Sequence, residues 1–111
     1  MLYLSFSAPA KIEYITPSAT YVSGSRVELQ CSVEGDPPAY VTWINVTDGN
    51  ILQNRTVNTS YVIPSVSSYH KGTYRCVVNN RCGKDSRDIK LIDIYRRFSR
   101  LWYPFTFFLI F

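Results

Sequence analysis

Gly72-Thr73-Tyr74-Arg75-Cys76 reads as the middle of a β-strand that is pinned from both sides. Tyr74 and Cys76 stand two apart, so in an extended chain they point to the same face. Gly72, two residues before Tyr74, permits a tight corner where the chain enters the strand. A tyrosine at such a corner can turn its hydroxyl back onto the backbone just upstream. Two further residues belong to the same pattern. Cys31 ends the alternating run Val27-Glu28-Leu29-Gln30-Cys31, and Trp43 follows it by twelve residues in Ala39-Tyr40-Val41-Thr42-Trp43-Ile44.

Outward from this stretch the chain keeps a period of two. Residues 11–15 and 19–22 form a first strand split by Pro17, which an edge strand tolerates because it can spare a ladder donor. Ser23-Gly24-Ser25 is a turn. Val27, Leu29, Cys31 and Val33 alternate with Glu28, Gln30 and Ser32, the mark of a half-buried strand with Leu29 in the core. After the turn Glu34-Gly35-Asp36-Pro37-Pro38, residues 40–46 make the Trp43 strand. Asp48-Gly49 suits a hairpin turn, and Ile51-Leu52-Gln53 begins the return strand. Tyr61, Ile63 and Val66 supply inward positions before a Ser/Tyr/His/Lys corner leads into Gly72. Strands over 74–79 and 87–94 flank the turn Asn80-Arg81-Cys82-Gly83. Seven or eight short strands with turn signals at this spacing predict an all-β sandwich of two antiparallel sheets, with no helix of consequence.

The order Cys31…Trp43…Tyr74-x-Cys76 resembles the immunoglobulin superfamily, over roughly residues 9–95. The resemblance implies an immunoglobulin-like β-sandwich, a Cys31–Cys76 disulfide, Trp43 packed against it, and Gly72 and Tyr74 forming the corner. The interval between the cysteines leaves no room for the two extra middle strands of variable-type domains, so an intermediate or C2 set is expected. Asn80 and Gly83 match the family's Asn-x-x-Gly turn. One position departs: His70 stands where the family usually has Asp, two residues before the corner glycine, so the corner loses a supporting carboxylate and is expected to be weaker. The cysteines make a poor alternative metal site, because one histidine and three cysteines at these spacings carry no zinc signature. A disulfide closing the span from 31 to 76 would stabilise the fold by about 4 kcal/mol in the chain-entropy model, a large share of the ~5–15 kcal/mol of a whole domain.

A chain of 111 residues supplies one domain. Residues 1–8 are apolar with small residues at their end and read either as a partial signal peptide or as the start of a fragment. Residues 96–111 are basic and then apolar. Their run from Leu101 to Phe111 is about half a membrane span and is broken by Pro104, which reads as truncation or intron read-through, the start of an unfinished membrane segment, or a membrane-touching tail. Net charge is +4, yet residues 9–95 hold nine Lys/Arg against eight Asp/Glu, and Arg96, Arg97 and Arg100 supply the excess. A near-neutral domain excludes the nucleic-acid reading that a basic one would invite.

Three sequons, Asn45-Val46-Thr47, Asn54-Arg55-Thr56 and Asn58-Thr59-Ser60, fall within 16 residues and mark Asn45, Asn54 and Asn58 as glycan acceptors. Clustered sequons beside a disulfide point to the secretory route and an extracellular or cell-surface location, with membrane attachment in a full-length parent. Glycans at Asn54 and Asn58 are expected toward the edge of the sheet opposite Trp43. Cys82, the odd cysteine, is either an unpaired surface thiol without a role, a redox-sensitive thiol, or a disulfide partner for another chain.

Catalysis has little to work with. His70 has no adjacent nucleophile, no glycine loop cradles phosphate, and no paired acids share a pocket, so neither enzyme activity nor a cofactor is expected. If Val41, Trp43, Tyr74, Cys76 and Val78 point inward, then Thr42, Ile44, Arg75 and Val77, with Ile92 beside them, point out. Such a mixture suits a modest protein interface. The expectation is a non-catalytic adhesion or ligand-recognition domain, binding another protein or a second copy of itself through the exposed face of the Trp43/Cys76 sheet. A structural spacer is one alternative. Binding of a sulfated polysaccharide such as heparan sulfate through Arg55, Arg75, Arg81, Lys84, Arg87 and Lys90 is another, weakened by the interleaved Asp85, Asp88 and Asp93.

Overall fold

Along β3 (Val27–Glu34) the apolar residues Val27, Leu29 and Cys31 are buried, while the intervening Glu28 and Gln30 are exposed. The same alternation recurs in β4 (Tyr40–Asn45), where Val41 and Trp43 are buried, and in β7 (Gly72–Asn80), where Tyr74, Cys76 and Val78 are buried. Each strand therefore presents one apolar face and must cover it against another sheet. The computed structural model describes residues 8–96; the expectations for the first seven residues and for the tail from 97 onward lie outside them.

The remaining strands are β1 (Lys11–Ile15), β2 (Ala19–Val22), β5 (Ile51–Thr56), β6 (Ser60–Ile63) and β8 (Gly83–Tyr95). One sheet has the order β1-β3-β6 and the other β2-β8-β7-β4-β5. All neighbours are antiparallel except β2 and β8, which run parallel. The split of the first strand at Pro17 has a topological meaning. The Thr16 N–H still donates to Gln30 of β3 at 2.9 Å, whereas the Ser18 hydroxyl already accepts from the Lys90 N–H of β8 at 2.8 Å. The chain thus crosses from one sheet to the other around the proline.

Trp43, Tyr74, Leu29, Leu91 and the two cysteines fill the space between the sheets, and no charged or polar side chain is buried among the described residues. Cys31 of β3 and Cys76 of β7 form a disulfide that ties the two sheets together, with their Cα atoms 6.6 Å apart. Trp43 lies directly across the ladder from Cys76.

At the corner the chain makes a 3₁₀ turn over Ser68–His70 and enters β7 through Gly72, whose φ is +146°. A side chain there would meet the Thr47 hydroxyl at 2.6 Å, so both the backbone angle and the space call for glycine. The Tyr74 hydroxyl donates to the His70 carbonyl at 2.6 Å. Where the family usually has a carboxylate, the Ser67 N–H donates to His70 Nδ1 at 2.9 Å, so His70 supplies an acceptor at the turn's start. At the opposite end Asn80 uses its whole amide. Its Oδ1 accepts from the Cys82 and Gly83 N–H groups, and its Nδ2 donates to the Ala8 and Asp36 carbonyls.

Two expectations need correction. The last strand starts at Gly83, not Arg87, because β8 pairs with β7 without a break from the Asn80–Gly83 turn onward. And β5 is the edge of the five-stranded sheet, so Asn54 stands on the sheet that carries Trp43 and Cys76, not on the opposite one.

Candidate functional site

Direct cross-strand partners share a face, so the ladder registers fix what the outer side of the five-stranded sheet displays. Cys76 is buried, which turns Arg75 and Val77 outward. Opposite Val77 stand Thr42 on one side and Ser86 on the other; opposite Arg75 stand Ile44 and Asp88. Thr42, Ile44, Arg75 and Val77 are thus brought together as two adjacent pairs in the middle of the sheet. Lys84 and Lys90 join the same face through their partners Asn79 and Thr73. Half-exposed Ile92 follows Lys90 two residues on.

A shallow open depression of about 410 Å³ lies here, lined by Ile44, Arg75, Val77, Lys84, Asp85 and Ser86. Two of these residues are aliphatic and four are polar or charged. Arg75 is held by Asp88 in a forked pair, Nε to Oδ1 at 2.7 Å and Nη2 to Oδ2 at 3.1 Å, which fixes the side-chain direction while adding little stability at so exposed a position. The Asp88 carboxylate raises the Arg75 pKa further, so the guanidinium keeps its charge. Toward β5 the Arg55 guanidinium lies 5.9 Å from the centre of the Tyr40 ring. Among the described residues Lys84, Lys90 and Arg55 have no acidic partner.

The inner side of β8 was not anticipated. The Asp85 carboxylate accepts the Ile12 N–H at 3.0 Å, and Arg87 donates to the Ile12 carbonyl at 3.2 Å. The Ile12 bond holds the Asp85 carboxyl below the usual carboxylate range. Burial opposes this, and the Ser86 N–H with nearby Arg87 and Lys11 reinforces it. Asp85 and Arg87 are therefore spent on β1, and of the three aspartates expected to dilute the cations only Asp88 has its carboxylate fixed on the outer face. Residues 83–88 carry no apolar alternation to mark a strand, so a strand read from Arg87 leaves Lys84 and Ser86 between the turn and the strand.

The sequons differ in setting. Asn45 is half-buried, stands opposite Tyr74, and accepts the Thr47 N–H at 3.0 Å. Asn54 and Asn58 are exposed, on β5 and in the β5–β6 loop. Cys82 is a free thiol, half-buried in the β7–β8 turn, with Sγ 3.9 Å from Asp36 Oδ2.

This sandwich, with its bridged cysteines, cross-strand tryptophan and tyrosine corner, agrees with a family model described as "Immunoglobulin domain", which matches residues 9–80. The chain belongs to the immunoglobulin domain family. Among curated relatives it is similar to Immunoglobulin superfamily member 10 of Homo sapiens, 35% identical over 91 residues, covering 75% of this chain and 4% of that protein. It is 29% identical to Myelin-associated glycoprotein of Rattus norvegicus over 93 residues, 83% of this chain and 14% of that protein. The chain therefore spans only a small fraction of these relatives' length. Among solved structures, Sidekick-1 immunoglobulin domains 1–5 superpose with a TM-score of 0.70 at 26% identity, covering 85% of this chain and 19% of that one. Titin domains Z1Z2 in complex with telethonin give 0.70 at 24% identity, over 84% and 50%, which is a likeness of fold alone.

Proposed function

We propose that this immunoglobulin domain is a non-catalytic recognition module of an extracellular or cell-surface protein, and that a protein partner docks on the outer face through Thr42, Ile44, Arg75 and Val77. The observation that carries the reading is the depression in which Ile44 and Val77 stand beside Lys84, Asp85, Ser86 and an Arg75 held in place by Asp88. An apolar centre with a polar rim is the usual anatomy of such interfaces. The relatives support the class: Vascular cell adhesion protein 1 of Canis lupus familiaris, 32% identical over 70% of this chain and 11% of its own length, carries adhesion in its name.

The experiment probes arrayed cell-surface ectodomains with the secreted chain and with an Ile44→Glu/Val77→Glu variant of unchanged fold. Binding that is lost in the variant supports the reading. Binding that survives it moves the site elsewhere, and a parent protein indifferent to both changes makes the domain a spacer.

Sulfated polysaccharide is a second reading, favoured by Lys84, Lys90 and Arg55 standing on the outer face without acidic partners while Asp85 is engaged by Ile12. Retention on heparin should then persist at physiological salt. Elution well below it would discard this reading, because isolated exposed charges are screened.

A further inference from the structure

β5 is a sheet edge, and edges of native sheets are protected against pairing with other chains by charge, proline, bulges or cover. This one has no lysine and no proline; its own protection is a bulged register and one charge, Arg55, whose guanidinium lies 5.9 Å from the centre of the Tyr40 ring, while Ile51 and neighbouring Val57 are 58% and 67% exposed. Its register against β4 slips, with Val41 opposite Thr56 and Trp43 opposite Gln53. Asn54 and Arg55 consequently share the place across from Thr42, and Arg55 has φ +44°. Asn54 is exposed there, and among the described residues its side chain makes no hydrogen bond, which leaves Nδ2 open to solvent. Asn45 contrasts with it: it faces the inner side opposite Tyr74, and Thr47 of the same sequon packs against Gly72, where even a Cβ would meet its hydroxyl at 2.6 Å.

We propose that Asn54 carries an N-linked glycan that covers the β5 edge and keeps it from pairing with a second copy of this chain, and that Asn45 carries none. In the transfer, Asn54 Nδ2 bonds to the anomeric carbon of a lipid-linked oligosaccharyl diphosphate. The bond from that carbon to the diphosphate oxygen breaks, the lipid diphosphate leaves with the bonding pair, and the amide proton is released. The role needs no partner on the outer face, so it stands or falls apart from the binding reading.

The full chain, secreted from mammalian cells with high-mannose glycans, is mapped by glycopeptide mass spectrometry and followed by sedimentation velocity. Occupied Asn54 and unoccupied Asn45 are expected, with a monomeric wild type and an Asn54→Gln variant that shifts toward dimer as concentration rises. To separate this from misfolding, the Asn58→Gln protein is trimmed with an endoglycosidase after folding, and should show the same shift. Unmodified Asn54, glycan on Asn45, or a trimmed protein that stays monomeric over the range would overturn the proposal.

Discussion

The Asp85 carboxylate takes the backbone N–H of Ile12 across the open side of the sandwich at 3.0 Å, although the two residues are 73 positions apart. With Arg87 on the Ile12 carbonyl, β8 gives the edge strand β1 a substitute for part of a missing ladder. Because the bond favours the charged form, the folded pKa lies below the unfolded one. The stabilisation is then complete above the ordinary carboxylate value of about 4 and fades as pH falls through the folded value. Denaturation of wild type and Asp85→Asn at several pH values should show wild type more stable at neutrality and the two converging in acid. A gap that persists at low pH would mean the charge is not what matters.

The corner bond gives a second expectation. Tyr74→Phe removes the hydroxyl that donates to the His70 carbonyl and leaves that carbonyl short of a partner, which should cost roughly 1–3 kcal/mol. Burial raises the Tyr74 pKa, with Tyr61 and Asp48 adding to it. A raised pKa contributes stability fully present below the unfolded value, about 10, and lost as pH rises through the folded one. The wild-type advantage over Tyr74→Phe should therefore shrink in alkali, as urea midpoints on both sides of that value would show.

The contrast between β3 and the start of β8 explains which parts were readable in advance. Val27, Leu29 and Cys31 declare a strand because its inner side is apolar, and the same holds for Val41/Trp43 and Tyr74/Cys76/Val78. Between Gly83 and Asp88 there is no apolar residue, yet the chain is strand there because β7 templates it and Ile12 satisfies its inward polar groups. A period-two search for apolar residues cannot see such a segment. Asn54 was misplaced for a related reason: sheet membership is a tertiary property, and the register slips in β5 blur the local alternation. The central residues of the candidate face, in contrast, follow from parity around Trp43 and Cys76.

His70 yields a third expectation. Its Nδ1 accepts the Ser67 N–H at 2.9 Å, as a carboxylate would at the start of a helical turn. His70→Asp should leave stability near wild type, and His70→Ala should lose about 1 kcal/mol, the usual value of such an acceptor. Thermal melts of the three proteins decide it; equal losses in both variants would assign the effect to imidazole packing.

Trp43 is fully buried against Cys76, yet among the described residues its Nε1–H has no acceptor. An unpaired buried donor costs about 1–3 kcal/mol. Trp43→Phe removes that burden along with part of the ring, whereas Trp43→Ala removes nearly the whole core contact and should cost about 3–5 kcal/mol. The phenylalanine variant is therefore expected to lose less than about 2 kcal/mol, because relief of the stranded donor offsets some of the lost packing. Guanidinium midpoints followed by circular dichroism, which does not depend on tryptophan emission, compare the three. If phenylalanine costs as much as alanine, the indole shape matters more than its nitrogen, and the cavity left by the missing ring sets the energetics of the centre of the sandwich.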